Sequence, residues 1–363
     1  MSEFVHSTIT GRIGCITLDR PKALNSLSLG MVRALHGQLQ AWRDDADVAA
    51  VLIKSSSEKA YCAGGDIRFF YDAGRATPSA GSALLEDFFS EEYALNHLIH
   101  FYPKPYIALL DGVVMGGGMG IAQAGPAARM RVVTEGTRMA MPEVNIGLFP
   151  DVGGSYFLSR TENEFGTYLG LSGETIGAAD AIHIGLADVY VPRAQLPALV
   201  EAICQSTAGD LRGVVRDFAG KLETPCDPAS SPLAQHAALI AKHFSHNDVP
   251  SIMASLQQDS SPFAQKTLAA MQKRSPLMMC VTLEQLRRGK DMSVAQCLRM
   301  ERTLVRHNFS HGEVIEGVRA LVIDKDNAPV WNPNSLDEVT PAMIAGFFAE
   351  IWPFYAHPLC ALD

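Results

Sequence analysis

An α/β fold that gives way to helices is what the sequence predicts, and two observations carry that expectation. Short β-prone apolar runs recur along the first 191 residues, interleaved with stretches of helical spacing. Beyond about Pro192 the runs stop and helical segments follow, broken by a Pro- and Ser-rich piece over 224–232. We therefore expect a core over residues 1–192 and a mainly helical region over 193–363. The 363 residues, 47% hydrophobic and 19% charged, suffice to bury a substantial interior.

Residues 13–18 form an apolar run closed by Asp19-Arg20-Pro21. Ser26 and Ser28 are N-cap candidates for a helix whose Val32, Leu35, Leu39 and Trp42 recur every three or four residues. Residues 48–53 are nearly all apolar, the pattern of a strand buried on both faces. Residues 60–67 (AYCAGGDI) give a strand, a glycine loop and a helix start. Residues 72–86 are small and polar and suggest a flexible connection or lid. The helix after them aligns Phe88, Glu92, Leu95 and Ile99 on one stripe. Residues 106–110 are a further strand, followed by a turn at Asp111-Gly112, glycines at 116–118 and an apolar helix over 119–124. More strands are expected at 130–133, 137–141 and 187–191, and an amphipathic segment at 313–322.

A strand, then glycines, then a helix start exposes backbone N–H groups. The sequence builds two such loops, at Gly64-Gly65 and at Gly116 to Gly118. Two convergent N–H donors are what an oxyanion hole requires, although each loop taken singly reads as a plain βα turn. Glu143 and Asp151 are lone carboxylates in apolar, glycine-bearing loops, which suggests a catalytic centre. An acid beside Pro142 also serves as an ordinary helix N-terminal residue. Glu92 lies on an apolar stripe, where an acid is costly unless paired, so a buried salt bridge and a substrate contact both account for it. Glu91 falls off the stripe and should be solvated.

Thirty Lys and Arg against 39 Asp and Glu leave a net charge of −9, a poor match to nucleic acid. No apolar run reaches the roughly 18 residues of a membrane span. The N-terminus has neither an apolar signal core nor an Arg-rich transit segment, so the expected location is the cytoplasm. Seven scattered cysteines without a C-x-x-C pair suggest reduced thiols. The pairs His243/His246 and His307/His311 lack the flanking Glu of a zincin, and no metal site is expected. P-loop, G-x-G-x-x-G and G-x-S-x-G strings are missing, which removes support for the common nucleotide and serine-hydrolase classes.

Four strings, taken in order and spacing, resemble the crotonase, or enoyl-CoA hydratase/isomerase, superfamily. They are 61–67 (YCAGGDI), 115–118 (MGGG), 140–143 (AMPE) and 146–154 (IGLFPDVGG). The similarity runs from 19–25 (DRPKALN) to 316–326 (EGVRALVIDKD), the latter typical of the hydrolase branch and its longer C-terminal half. The resemblance implies a core of ββα turns wound in a spiral, binding acyl-CoA, with the helical C-terminal region completing the site. It implies that the N–H groups of Gly65 and Gly117 hold the thioester oxygen and that the Ala63 carbonyl receives the adenine amino group. Lys22 and Arg68 match basic positions near the CoA phosphates, and Asp66 is counted with the substrate-binding positions.

Departures from the hydratases of the family set the expected reaction. Hydratases use two glutamates; the first falls here on Gly120, which has no acid–base capacity, and the second on Glu143. Hydrating a C=C bond needs a proton delivered and a water activated, so hydration is disfavoured. Asp151 stands where hydratases commonly carry a small residue and fits the hydrolase branch, which also uses an acid at the position of Glu92. The resemblance thus implies hydrolysis of a short 3-hydroxyacyl-CoA. Glu143 acts as nucleophile or as general base on water, while Glu92 and Asp151 hold the 3-hydroxyl and orient water. No cofactor is needed, CoA being part of the substrate. Two rivals stay open: an enoyl-CoA isomerase, which gives Asp151 no obvious role, and a catalytically silent acyl-CoA-binding protein. The partners expected are the acyl-CoA and possibly further copies of the chain, the longer C-terminal half favouring a monomer or dimer over the trimers and hexamers common in the superfamily.

Overall fold

A computed structural model describes residues 2–77, 81–222, 226–227 and 230–363. The chain forms two compact units, each assembled from three segments.

The first unit comprises Met1–Gly65, Leu95–Ala140 and Ile176–Ala234. Its strands are β1 (Val5–Thr10), β2 (Ile13–Leu18), β3 (Ala50–Ser55), β4 (Ala60–Cys62), β5 (Tyr106–Leu110), β6 (Val113–Met115), β7 (Arg129–Val133), β8 (Arg138–Ala140) and β9 (Val189–Tyr190). One sheet has the order β1-β2-β3-β5-β7-β9 and a second the order β4-β6-β8. Apart from the antiparallel β1–β2 pair, the pairings between these strands are parallel. Each of the successive pairs β3–β4, β5–β6 and β7–β8 sends its first strand to the larger sheet and its second to the smaller. That repetition is the ββα spiral expected from the resemblance.

Alternation along the larger sheet decides which side chains meet which helix. Ala50, Leu52, Ile107, Leu109, Met130 and Val132 share one buried cluster with Leu199, Ile203, Leu211 and Val215 of the helices Leu196–Gln205 and Leu211–Gly220. Gly14, of opposite parity to Ile13, faces Trp42 of the helix Leu29–Arg43, where a Cβ would lie 2.5 Å from the indole. The Ser28 hydroxyl caps that helix by accepting from the Met31 N–H at 3.3 Å.

The second unit comprises Asp66–Ala94, Met141–Thr175 and Gln235–Asp363 and is helical among the described residues. Phe70 of the helix Ile67–Ala76 and Phe88 and Phe89 of the helix Ala83–His100 pack as an aromatic cluster, with Phe309 of the helix Val294–His311 at its edge. Glu86 accepts from both Arg302 and Arg306, tying these last two helices together.

Two expectations are corrected, and a third falls partly outside the described residues. Residues 72–76 continue the helix Ile67–Ala76 and residues 83–86 begin the next, so the supposed lid is helical at both ends, while 78–80 lie outside the described residues. Of the piece at 224–232, residues 224–225 and 228–229 also lie outside them. The helix expected over 119–124 is instead the turn Gly117–Gly120, its buried apolar residues continuing without helix. The glycines there permit close packing but favour helix poorly.

Candidate active site

In the first unit the two glycine loops meet. After β4 the chain turns through Ala63 and Gly64, the latter at φ +100. Ala63 N–H donates to the Leu24 carbonyl at 3.0 Å, and Leu27 N–H donates to the Gly64 carbonyl at 2.7 Å. Asn25, fully buried, fastens the preceding turn: its Nδ2 donates to Ser55 Oγ (2.7 Å) and to the Tyr61 carbonyl (3.1 Å), and its Oδ1 accepts from Arg20 N–H (2.7 Å). After β6, Gly116 at φ +50 leads into Gly117–Gly120. A Cβ on Gly118 would lie 2.2 Å from the Cys62 carbonyl oxygen, and one on Gly64 would lie 3.4 Å from Gly117 N. Only glycine permits this approach. Gly117 N–H opens a helical turn and has no carbonyl of that turn to donate to.

In the second unit, Glu92, Glu143, Asp151 and Glu301 are buried, and the first, second and fourth all sense the charge of Asp151. Glu143 opens the short 3-10 turn Glu143–Ile146, which ends at Gly147 with φ +68. A Cβ there would lie 2.4 Å from the Glu313 carbonyl oxygen. Burial pushes the Glu143 carboxyl well above its usual range, reinforced by Asp151 and, less, by Glu301 and Glu92. Glu92 is raised in the same way, by burial first and then by Asp151. Asp151 is pushed up to about 6 by burial, against the Tyr93 hydroxyl, which donates to its Oδ2 at 2.7 Å. Glu301 is raised to about 8, again by burial, although it accepts from Gly153 N–H (2.8 Å), Ser155 N–H (2.9 Å) and Ser155 O–H (2.6 Å).

Glu92 Oε1 and Glu143 Oε2 have no hydrogen-bond partner among the described residues. Buried polar atoms in that state mark a place where a ligand or water completes the bonding. Carboxyls with raised proton affinity can hold or accept a proton near neutral pH.

The structure brings together Glu92, Glu143 and Asp151 in one unit, and the loops of Ala63, Gly65 and Gly117 in the other. Asp66 caps the helix Ile67–Ala76, accepting from Phe69 N–H at 3.3 Å. Lys22 is exposed in the turn Pro21–Ala23, and exposed Arg68 reaches the Val322 carbonyl at 3.5 Å. The salt-bridge explanation of Glu92 fails: among the described residues, burial and Asp151 act on it with no cation in the balance. Glu91 is half-buried rather than fully solvated.

Sequence reasoning missed Tyr93, Ser155, Gln285 and Glu301. A signal for the last was present. Cys297, Leu298, Glu301, Leu304 and Val305 form one buried stripe of their helix, so Glu301 is an acid at an apolar position, as Glu92 is.

Residues 13–348 match the model of a family described as Enoyl-CoA hydratase/isomerase. The chain belongs to that family, and the crotonase fold is its fold. Among curated relatives, the mitochondrial 3-hydroxyisobutyryl-CoA hydrolase of Xenopus tropicalis is 41% identical over 346 residues, 95% of this chain and 88% of the relative. The Homo sapiens protein of that name is 38% identical over 344 residues, 94% of this chain and 87% of the relative. Among solved structures, a carnitinyl-CoA dehydratase from Mycobacterium thermoresistibile has a TM-score of 0.88 at 37% identity, covering 97% of this chain and 98% of that one. An enoyl-CoA hydratase from Rhodobacter sphaeroides 2.4.1 has a TM-score of 0.84 at 36% identity, covering 96% and 98%. The expected cytoplasmic location is overturned by the curated relatives, which are mitochondrial proteins.

Proposed function

We propose that this protein hydrolyses 3-hydroxyisobutyryl-CoA to 3-hydroxyisobutyrate and CoA, a step of valine breakdown. The observation that carries the proposal is the buried acid group of Glu92, Glu143 and Asp151, together with Gly120 where a hydratase has its other acid. Curated relatives of that name, similar over most of the chain, support it.

The Glu143 carboxylate attacks the thioester carbonyl carbon, and the N–H groups of Gly65 and Gly117 stabilise the oxyanion. The C–S bond breaks, CoA leaves as thiolate and takes up a proton, and an acyl-Glu143 anhydride is left. Water opens the anhydride and restores the carboxylate. In the general-base variant Glu143 takes a proton from water, which attacks directly. Glu92 and Asp151 bind the 3-hydroxyl and orient water on either route, and Ala63, Asp66, Lys22 and Arg68 serve the CoA moiety. The reaction draws on no metal or redox cofactor. The chain works as a monomer or small homo-oligomer, which light scattering measures.

The similarity to a carnitinyl-CoA dehydratase and an enoyl-CoA hydratase favours a second reading, hydration or dehydration of an acyl-CoA. Gly120 weighs against it, since one glutamate must then both activate water and deliver a proton. Thiol release from 3-hydroxyisobutyryl-CoA by wild type, and its loss in Glu143→Ala, tests the hydrolase. Hydroxylamine trapping of a labelled acyl group separates the anhydride from the general-base route.

A further inference from the structure

Glu301 is a fully buried carboxyl that the mechanism above leaves without a task. It projects from the helix Val294–His311 onto the start of the helix Gly154–Leu158, directly after Asp151. Three donors converge on it from Gly153 and Ser155. Gln285 closes the arrangement from the helix Pro276–Gly289, its Nε2 donating to Ser155 Oγ at 2.8 Å and to the Pro150 carbonyl at 2.5 Å. Residues 150–155, with Asp151 in their midst, are therefore pinned at both ends by side chains from two other helices. We propose that Glu301 is a positioning residue of this site, clamping the Gly153–Ser155 turn and through it the Asp151 carboxyl against Tyr93. The inference rests on the reading of Asp151 as part of the reaction site.

Charge joins the two acids as well as geometry. Both backbone donors can only donate, and Ser155 Oγ already accepts from Gln285, so the bonding around Glu301 suits the carboxylate. Burial and the Asp151 charge oppose that ionisation. The titratable groups facing it are Tyr93 from the helix Ala83–His100, Glu143, Asp151, and Cys297 one turn earlier on its own helix. The adjacent Arg302 is committed to Glu86 and Ser90. When Glu301 ionises, Asp151 must feel it, and a residue that merely fills space would not transmit this.

Protein labelled with 13C at the aspartate side-chain carboxyl, with the Asp151 signal assigned through Asp151→Asn, provides the test. On a Glu92→Gln/Glu143→Gln background, which removes the other two raised carboxyls that sense Asp151, the signal should move in two phases, near pH 6 from Asp151 itself and near pH 8 from Glu301. Adding Glu301→Gln to that background should remove the upper phase, and Glu301→Gln alone should lower kcat about tenfold or more as Asp151 loses its setting. Ser155→Ala, which removes a donor to the carboxylate, should shift the upper phase to higher pH. A single phase on the Glu92→Gln/Glu143→Gln background, or an upper phase that survives Glu301→Gln there, would overturn the proposal. If the wild type releases no thiol, the hydrolase reading fails, and the Asp151 titration still decides the role of Glu301.

Discussion

Glu92 and Glu143 are carboxyls buried away from water, and this governs how the protein responds to pH. Both bind a proton more tightly in the folded chain than in the unfolded one. Their stabilising contribution is present below the ordinary glutamate value and is lost as pH rises toward the folded value. Glu92→Gln removes that loss. Relative to wild type, the variant should gain stability between pH 5 and pH 8, by about 1–3 kcal/mol, as read by denaturant unfolding at each pH. Its hydrolytic rate should fall, because a group kept at this cost serves the substrate. Glu143 must shed its proton to act, so the acid limb of kcat/KM should lie above the ordinary glutamate value of 4.5. Glu143→Gln should lower kcat by about 100-fold or more while CoA binding, followed by calorimetry, persists. Glu92 and Glu301 show what is legible at this scale: an acid on an apolar stripe is visible in sequence, whereas its partner across the fold is not. Tyr93 had no such signal, because a buried tyrosine is ordinary core until its hydroxyl is seen to reach Asp151.

At the scale of elements, close approach of backbones holds the loops in place. Gly118→Ala would drive a methyl to within 2.2 Å of the Cys62 carbonyl oxygen, so either the turn Gly117–Gly120 or β4 must shift. We expect a loss of about 2–4 kcal/mol in thermal or denaturant unfolding. Gly317 of the helix Glu313–Val318 would place its methyl 2.2 Å from the Ile146 carbonyl carbon, at the end of the turn that bears Glu143. Gly317→Ala should therefore depress kcat more than it weakens CoA binding, which paired kinetics and calorimetry measure. Elements with a clear apolar pattern were legible: β5 and β7 are near-continuous apolar runs, and β2 and the helices starting at Leu29 and Ala83 repeat their apolar residues with a period. β1 was not, since five of its six residues are exposed along the sheet edge and no apolar pattern marks them. The three-residue strands of the smaller sheet are too short to show a period, and the resemblance supplied the spiral that they build.

For the whole molecule, composition excluded more than it located. The N-terminal residues, with neither a signal core nor an Arg-rich segment, suggested the cytoplasm, and mitochondrial relatives overturned that expectation, because an address is read by receptors and not set by fold energetics. No helix among the described residues is long and apolar enough to cross a membrane. The same family holds hydrolases, hydratases and a dehydratase on one fold, so the fold leaves the reaction open and the acids decide it. The most direct measurement is thiol release from a panel of acyl-CoAs by the purified protein, with enoyl absorbance followed in parallel. Rapid CoA release confined to small 3-hydroxyacyl thioesters, and lost in Glu143→Ala, is the result predicted. A change in enoyl absorbance without thiol release would contradict it.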